Sequence, residues 1–293
     1  AAVRYGLKPI LVLKGKKPDQ LSGNLLLDRL MGADLHFVDM SGAQSLPEEE
    51  QEAARRKYLE DCTAKITAEY EAKGEKVLNI PIGGQTPVGS AGYIQAIPEI
   101  MRQMEEQKIQ ADYLVAGYGS TGTFAGLWAG AKYYHAPFEV IGIPIEPDMR
   151  PVEETVDFIN EMSDTFEMGI HCKKEEIHLE LGEGENFYGG VGYNEPDHIT
   201  QRYIELLART DAIFTDPCYT GKVLHGFVDL LEKEIIPADA NAIFLHTGGA
   251  PGLWTKEHLD SMNEVYWKEE KTDHVTTWAI RYLSGHRSLA QWE

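Results

Sequence analysis

The residues of this sequence that could do chemistry sit in turns rich in glycine and hydroxyl groups. The clearest is Gly117-Tyr118-Gly119-Ser120-Thr121-Gly122-Thr123-Phe124-Ala125-Gly126, which follows an apolar run and opens a segment of helical period. Backbone N–H groups, a helix N-terminus and the hydroxyls of Ser120, Thr121 and Thr123 together form a cradle for one phosphate group. The glycines let backbone approach the ligand without a Cβ. The loop lacks the lysine of a Walker A motif, and Glu146 is the nearest candidate for a ribose-binding acid, so a nucleotide is disfavoured. Taken alone, the loop also fits a helix N-cap with glycines for close packing.

Thr215-Asp216-Pro217-Cys218-Tyr219-Thr220-Gly221-Lys222 is a second such turn, where Asp-Pro forces extended backbone and Tyr219 and Thr220 present hydroxyls at a strand end. A third is Leu245-His246-Thr247-Gly248-Gly249-Ala250-Pro251-Gly252, in which His246 reads as a satisfied core residue before it reads as a catalyst. Gly83 to Tyr93 and Tyr188 to Pro196 carry more glycine than ordinary turns need. Several such turns on one chain predict a single small phosphorylated ligand held from several strand ends.

Positioning these turns requires strands. Short β-branched runs alternate with longer helical-period segments, the pattern of βαβ units around a parallel sheet. Strands are predicted at Pro9 to Leu13, Leu35 to Asp39, Val77 to Ile82, Tyr113 to Gly117, Val140 to Ile145, Ala212 to Thr215 and Ala242 to His246. Helices are predicted at Asn24 to Met31, Pro47 to Lys73, Gly89 to Gln107, Thr121 to Tyr134, Pro151 to Phe166, Pro196 to Ala208 and Val223 to Glu234. The charged stretch Glu48 to Lys76 reads as a solvated helix face. The tail Thr255 to Glu293, with Trp267, Trp278 and Trp292, reads as a segment that buries aromatic area on its own or a second subunit.

Bulk composition narrows the function classes. The chain has 293 residues and a formal net charge of −20, from 27 Lys plus Arg against 47 Asp plus Glu, which repels nucleic acid and anionic membrane surfaces. No apolar run approaches a membrane span and no signal segment opens the chain, so a cytoplasmic location is expected. Cys62, Cys172 and Cys218 lack the spacing of a disulfide framework or a zinc site.

In order, GNLLLDRLMGAD (23–34), IPIGGQTPVGSAGY (80–93), GYGSTGTFAG (117–126), DPCYTGK (216–222) and HTGGAPGL (246–253) resemble the signature of the D-cysteine desulfhydrase and 1-aminocyclopropane-1-carboxylate deaminase family. These are fold-type II pyridoxal-phosphate enzymes, related to the tryptophan synthase β chain. The resemblance implies an α/β fold of two three-layer α/β/α domains with parallel sheets, divided here as a remnant of the smaller domain at 1–83, the cofactor-binding domain at 84–254 and an extension at 255–293. It implies pyridoxal 5′-phosphate as cofactor, bound by Gly119, Ser120, Thr121, Gly122, Thr123, Thr220, Thr247 and Gly248, with Thr121 standing where relatives usually have Gly. Tyr219 would lie beside the ring and substrate, with Tyr193 as the second active-site tyrosine.

The deaminase branch has Glu and Leu where this chain has Thr220 and Thr247. The resemblance therefore implies β-elimination of D-cysteine, or a related β-substituted amino acid, to pyruvate, ammonia and sulfide. A deaminase-like enzyme and a non-catalytic partner subunit are the alternatives. The family's Schiff-base lysine stands in a Gly-Gly-Asn-Lys turn that does not occur in these 293 residues. A missing N-terminal segment, a complementing chain or a homodimer is accordingly expected.

Overall fold

The structure is a computed structural model, and it describes residues 1–268. The chain divides into two compact units, 1–80 and 81–293.

In the first unit, strands β1 (Ile10–Lys14) and β2 (Asp34–Val38) pair in parallel, with Ile10 opposite Asp34. Helix α1 (Gly23–Leu30) supplies the crossover that a parallel pair requires. Helix α2 (Ser41–Gln44) is a single turn, and α3 (Glu48–Glu71) places three glutamates at its N-terminus, where the helix dipole favours them. Val77 to Ile82, predicted as a strand, has no ladder partner, and Leu78 and Ile80 are about three-quarters exposed.

The second unit is a three-layer sandwich. Its parallel sheet has the order β5-β4-β3-β6, with β3 (Tyr113–Tyr118), β4 (Glu139–Pro144), β5 (His178–Leu179) and β6 (Ala242–Phe244). Successive side chains of β3 enter opposite layers: Leu114, Ala116 and Tyr118 pack with α4 (Pro87–Gln107), α5 (Gly122–Tyr133) and α6 (Val152–Thr165), while Val115 faces α7 (His198–Asp211) and α8 (Thr220–Glu232). Covering both faces explains why these strands are apolar throughout. Helices α5 and α8, which leave the two polar turns, are themselves almost wholly buried.

Two departures bear on the site. Ala212 to Thr215, predicted as a strand, forms no strand ladder among the described residues, although Thr215 is fully buried. Helix α4 begins at Pro87, two residues before the predicted start, because Thr86 caps it through Oγ1, which accepts from the amide of Gly89 at 2.9 Å. In the tail, α9 (Lys256–Lys268) leaves Trp267 80% exposed, so this tryptophan is not buried on its own chain. Trp278 and Trp292 lie outside the described residues.

Candidate active site

The turns singled out from the sequence converge on the carboxyl ends of β3, β4 and β6. The chain leaves β3 at Tyr118 and enters α5 at Gly122 after three residues. A Cβ on Gly119 would lie 2.6 Å from Ile145 Cδ1, which would have to shift, and one on Gly83, at φ 73°, would lie 2.5 Å from Ser120 Cβ, so position 83 demands glycine. No side chain caps α5, which leaves its first amides available to a ligand. Thr121 has φ 70° and ψ −15°, a left-handed conformation that costs a β-branched residue about 1–2 kcal/mol. It is 2% exposed, and its Oγ1 accepts from Gln85 Nε2 at 3.0 Å.

The second turn is organised by Asp216, which is 1% exposed. One carboxylate oxygen accepts from the amides of Cys218 and Tyr219, both at 2.9 Å; the other accepts from the amide and the hydroxyl of Thr220, both at 2.7 Å. The charge is thereby fully hydrogen-bonded, and the turn is fixed before α8 starts. Thr220 has no exposed surface, and its hydroxyl also lies 3.3 Å from the carbonyl of Gly248.

Tyr219 projects from this turn and its hydroxyl is hydrogen-bonded to that of Tyr193, with the rings edge to face at 5.7 Å. Burial pushes both hydroxyls up, Tyr219 to about 12, so both are protonated at neutral pH. Such a pair offers a proton rather than a ready base. Tyr193 is carried by a glycine-rich loop that Lys222 ties down: its buried ammonium donates to the carbonyls of Gly192 and Ile145, each at 2.7 Å. Desolvation lowers the pKa of that ammonium.

Thr247 and Gly248 form the exposed turn after β6. His246, expected in the core, is exposed instead and makes two bonds: its Nδ1 accepts from the amide of Gly248 at 3.1 Å, so Nε2 carries the proton it donates to the carbonyl of Phe214, also at 3.1 Å. Asp216 and Lys222 were missed as organisers of the site. The sequence signal for Lys222 is a lone ammonium opening the segment Val223 to Leu231, which is apolar except for His225 and Asp229.

The donor set around Ser120 fits a phosphate monoester: unclaimed amides at a helix start, small hydroxyls, and glycines where a Cβ would fill the space. Among the described residues no cluster of His, Cys, Asp and Glu could hold a metal ion, and no helix is long and apolar enough to cross a membrane.

Comparison with known proteins agrees with that donor set. Residues 1–248 match the family model of pyridoxal-phosphate dependent enzymes. A 1-aminocyclopropane-1-carboxylate deaminase of Rhizobium radiobacter is 29% identical over 259 residues, covering 86% of this chain and 72% of the relative. A D-cysteine desulfhydrase of Salmonella typhi is 29% identical over 196 residues, 64% of this chain and 55% of the relative. The crystal structure of an ACC deaminase homologue superposes with a TM-score of 0.67 at 28% identity, covering 90% of this chain and 72% of that one. An O-ureido-L-serine synthase at 16% identity and a TM-score of 0.52 shares the fold. A match over more than four-fifths of the sequence makes this chain a member of the family of pyridoxal-phosphate dependent enzymes.

Proposed function

We propose that the protein is a lyase of the D-cysteine desulfhydrase type, eliminating the β-thiol of D-cysteine or a related β-substituted amino acid to give pyruvate, ammonia and sulfide. The observation that carries the reading is the hydrogen-bonded pair Tyr193 and Tyr219, set at the same edge of the sheet as the 119–123 cradle. Bound pyridoxal phosphate supplies electron withdrawal that acidifies the α-carbon. The chain's own residues hold the phosphate and serve the leaving group. The amides and hydroxyls of 119–123 grip the phosphate, and the Asp216 turn fixes where the Tyr219 ring stands. Because both tyrosines are protonated near neutral pH, the pair can donate a proton to the sulfur as the carbon–sulfur bond breaks, so that sulfide leaves as the neutral thiol; one water then hydrolyses the remaining carbon–nitrogen bond to give pyruvate and ammonia. Thr220 and Thr247, hydroxyl residues where the deaminase branch has Glu and Leu, support elimination over ring opening.

The reading also needs a lysine to anchor the cofactor and remove the α-proton, in a context these 293 residues do not contain. A second reading, 1-aminocyclopropane-1-carboxylate deamination, is favoured by the longer match to the Rhizobium deaminase. Incubating the complete protein, loaded with cofactor, with each substrate separates the two. Sulfide and pyruvate from D-cysteine are expected. A four-carbon oxo acid from the cyclopropane substrate, with no sulfide from D-cysteine, would replace the first reading by the second.

A further inference from the structure

We infer that Gln85 is a positioning residue for the cofactor phosphate: it holds Thr121 in the left-handed conformation that shapes the cradle, a task that glycine at 121 would make unnecessary. The inference rests on the cofactor reading of the 119–123 loop. Between β3 and α5 the chain turns within three residues, passing from Ser120, whose φ is not positive, to Thr121 at φ 70°. A change of hand between neighbouring residues is what lets successive amides converge on one anion. Glycine adopts positive φ freely and threonine does not, so something must hold Thr121 there.

The structure offers one polar side chain for that task. Gln85 Nε2 donates to Thr121 Oγ1 at 3.0 Å, at a site where Thr121 is 2% exposed. Gln85 is itself fixed, following Gly83 and Gly84, both at positive φ, and preceding Thr86, the cap of α4. A Cβ on Gly122 would also lie 3.7 Å from Gln85 Cα, so the glutamine backbone abuts the next residue of the cradle. The direction of the bond has a consequence for binding. The Thr121 oxygen is occupied as an acceptor, so its own proton remains for a ligand oxygen. One glutamine thus sets a backbone conformation and orients a hydroxyl.

The probes are pyridoxine 5′-phosphate and pyridoxine, whose affinities for the full chain are measured by fluorescence titration; neither has an aldehyde, so no lysine is required. The ratio of the two affinities reports the phosphate grip alone. Gln85→Met should cut that ratio about tenfold, the worth of one ordinary hydrogen bond. Thr121→Gly gives up a hydroxyl of the cradle and serves as its own reference: adding Gln85→Met to it should move the ratio by less than about twofold, because glycine takes the left-handed conformation unaided. Should Gln85→Met not fold, Thr121→Val keeps the side-chain shape but removes both the acceptor for Gln85 and the donor to the ligand, and is expected to lose at least as much. A double variant about tenfold below Thr121→Gly, or an unchanged ratio in both Gln85→Met and Thr121→Val, overturns the inference while sparing the cofactor reading. No advantage for the phosphorylated probe in the unmodified protein overturns both.

Discussion

At the scale of single residues, Asp216 shows how one buried side chain organises a turn. Its carboxylate takes four donors from the three residues Cys218 to Thr220. Replacement by Ala strands those donors in a site with almost no solvent, and a loss of about 3 kcal/mol or more is expected. Thr220→Val removes one of the four, together with the acceptor of the Asp216 amide at 3.0 Å, and should cost less, about 1–2 kcal/mol. Urea midpoints of the two variants measure the contrast, and equal losses would show that the carboxylate is not the centre of the turn. The two polar turns were legible in the sequence, because a glycine-rich strand-to-helix turn and an Asp-Pro turn are local motifs. The organisers were not. Lys222 bonds to carbonyls 77 and 30 residues away, and Asp216 before Pro reads as an ordinary turn until α8 is seen to begin within its reach.

At the scale of elements, α4 and α5 lie so close that Gly126 and Gly130 carry the contact. A Cβ on Gly126 would meet the carbonyl oxygen of Ser90 at 2.6 Å and Tyr93 Cβ at 2.8 Å. Gly92, on the exposed side of α4, would meet nothing within 4 Å. The same substitution therefore has opposite signs. Gly92→Ala gains helix propensity and should stabilise by about 0.5–1 kcal/mol. Gly126→Ala gains the same amount but forces two helix backbones apart, a cost of about 1–3 kcal/mol that should leave it net destabilised. Thermal midpoints moving in the same direction would refute this account of the helix contact. Helices were readable because their period is internal to each segment. Two predicted strands failed for the complementary reason: Val77 to Ile82 and Ala212 to Thr215 have the apolar composition of strands, but a ladder requires a neighbour at the right register, which lies elsewhere in the chain. Conversely, β5 is only two residues long and carries little pattern to detect.

At the scale of the whole molecule, two histidines give the folded chain opposing responses to pH. His225 is 1% exposed, stacked on Tyr203 at 4.6 Å and edge-on to Tyr188 at 5.0 Å. It bonds through Nε2 to Asn186 Oδ1 at 2.8 Å, while its buried Nδ1 has no partner among the described residues. Burial lowers its pKa from 6.5 to about 4, against the opposing pull of Asp229. Below 6.5 the unfolded chain therefore binds a proton that the folded chain refuses, so stability present above 6.5 drains away as the pH falls toward 4, on the order of 3 kcal/mol in all. His178 behaves oppositely. Burial pulls its pKa down, but bonds to Glu180 at 3.0 Å and Glu139 at 2.7 Å outweigh it and the net shift is upward. Its contribution is complete below 6.5 and is lost as the pH rises through the raised value. Unfolding free energies of the unmodified protein, His225→Phe and His178→Gln across this range test both signs, since subtracting variant from parent cancels the slope from the 47 carboxylates they share. His225→Phe keeps an aromatic ring in the stack and should flatten the acid limb between 6.5 and 4, whereas His178→Gln should leave that limb unchanged and flatten the alkaline one. Parallel acid limbs for parent and His225→Phe would mean that the imidazole is already protonated in the fold, with Nδ1 reaching an acceptor after all.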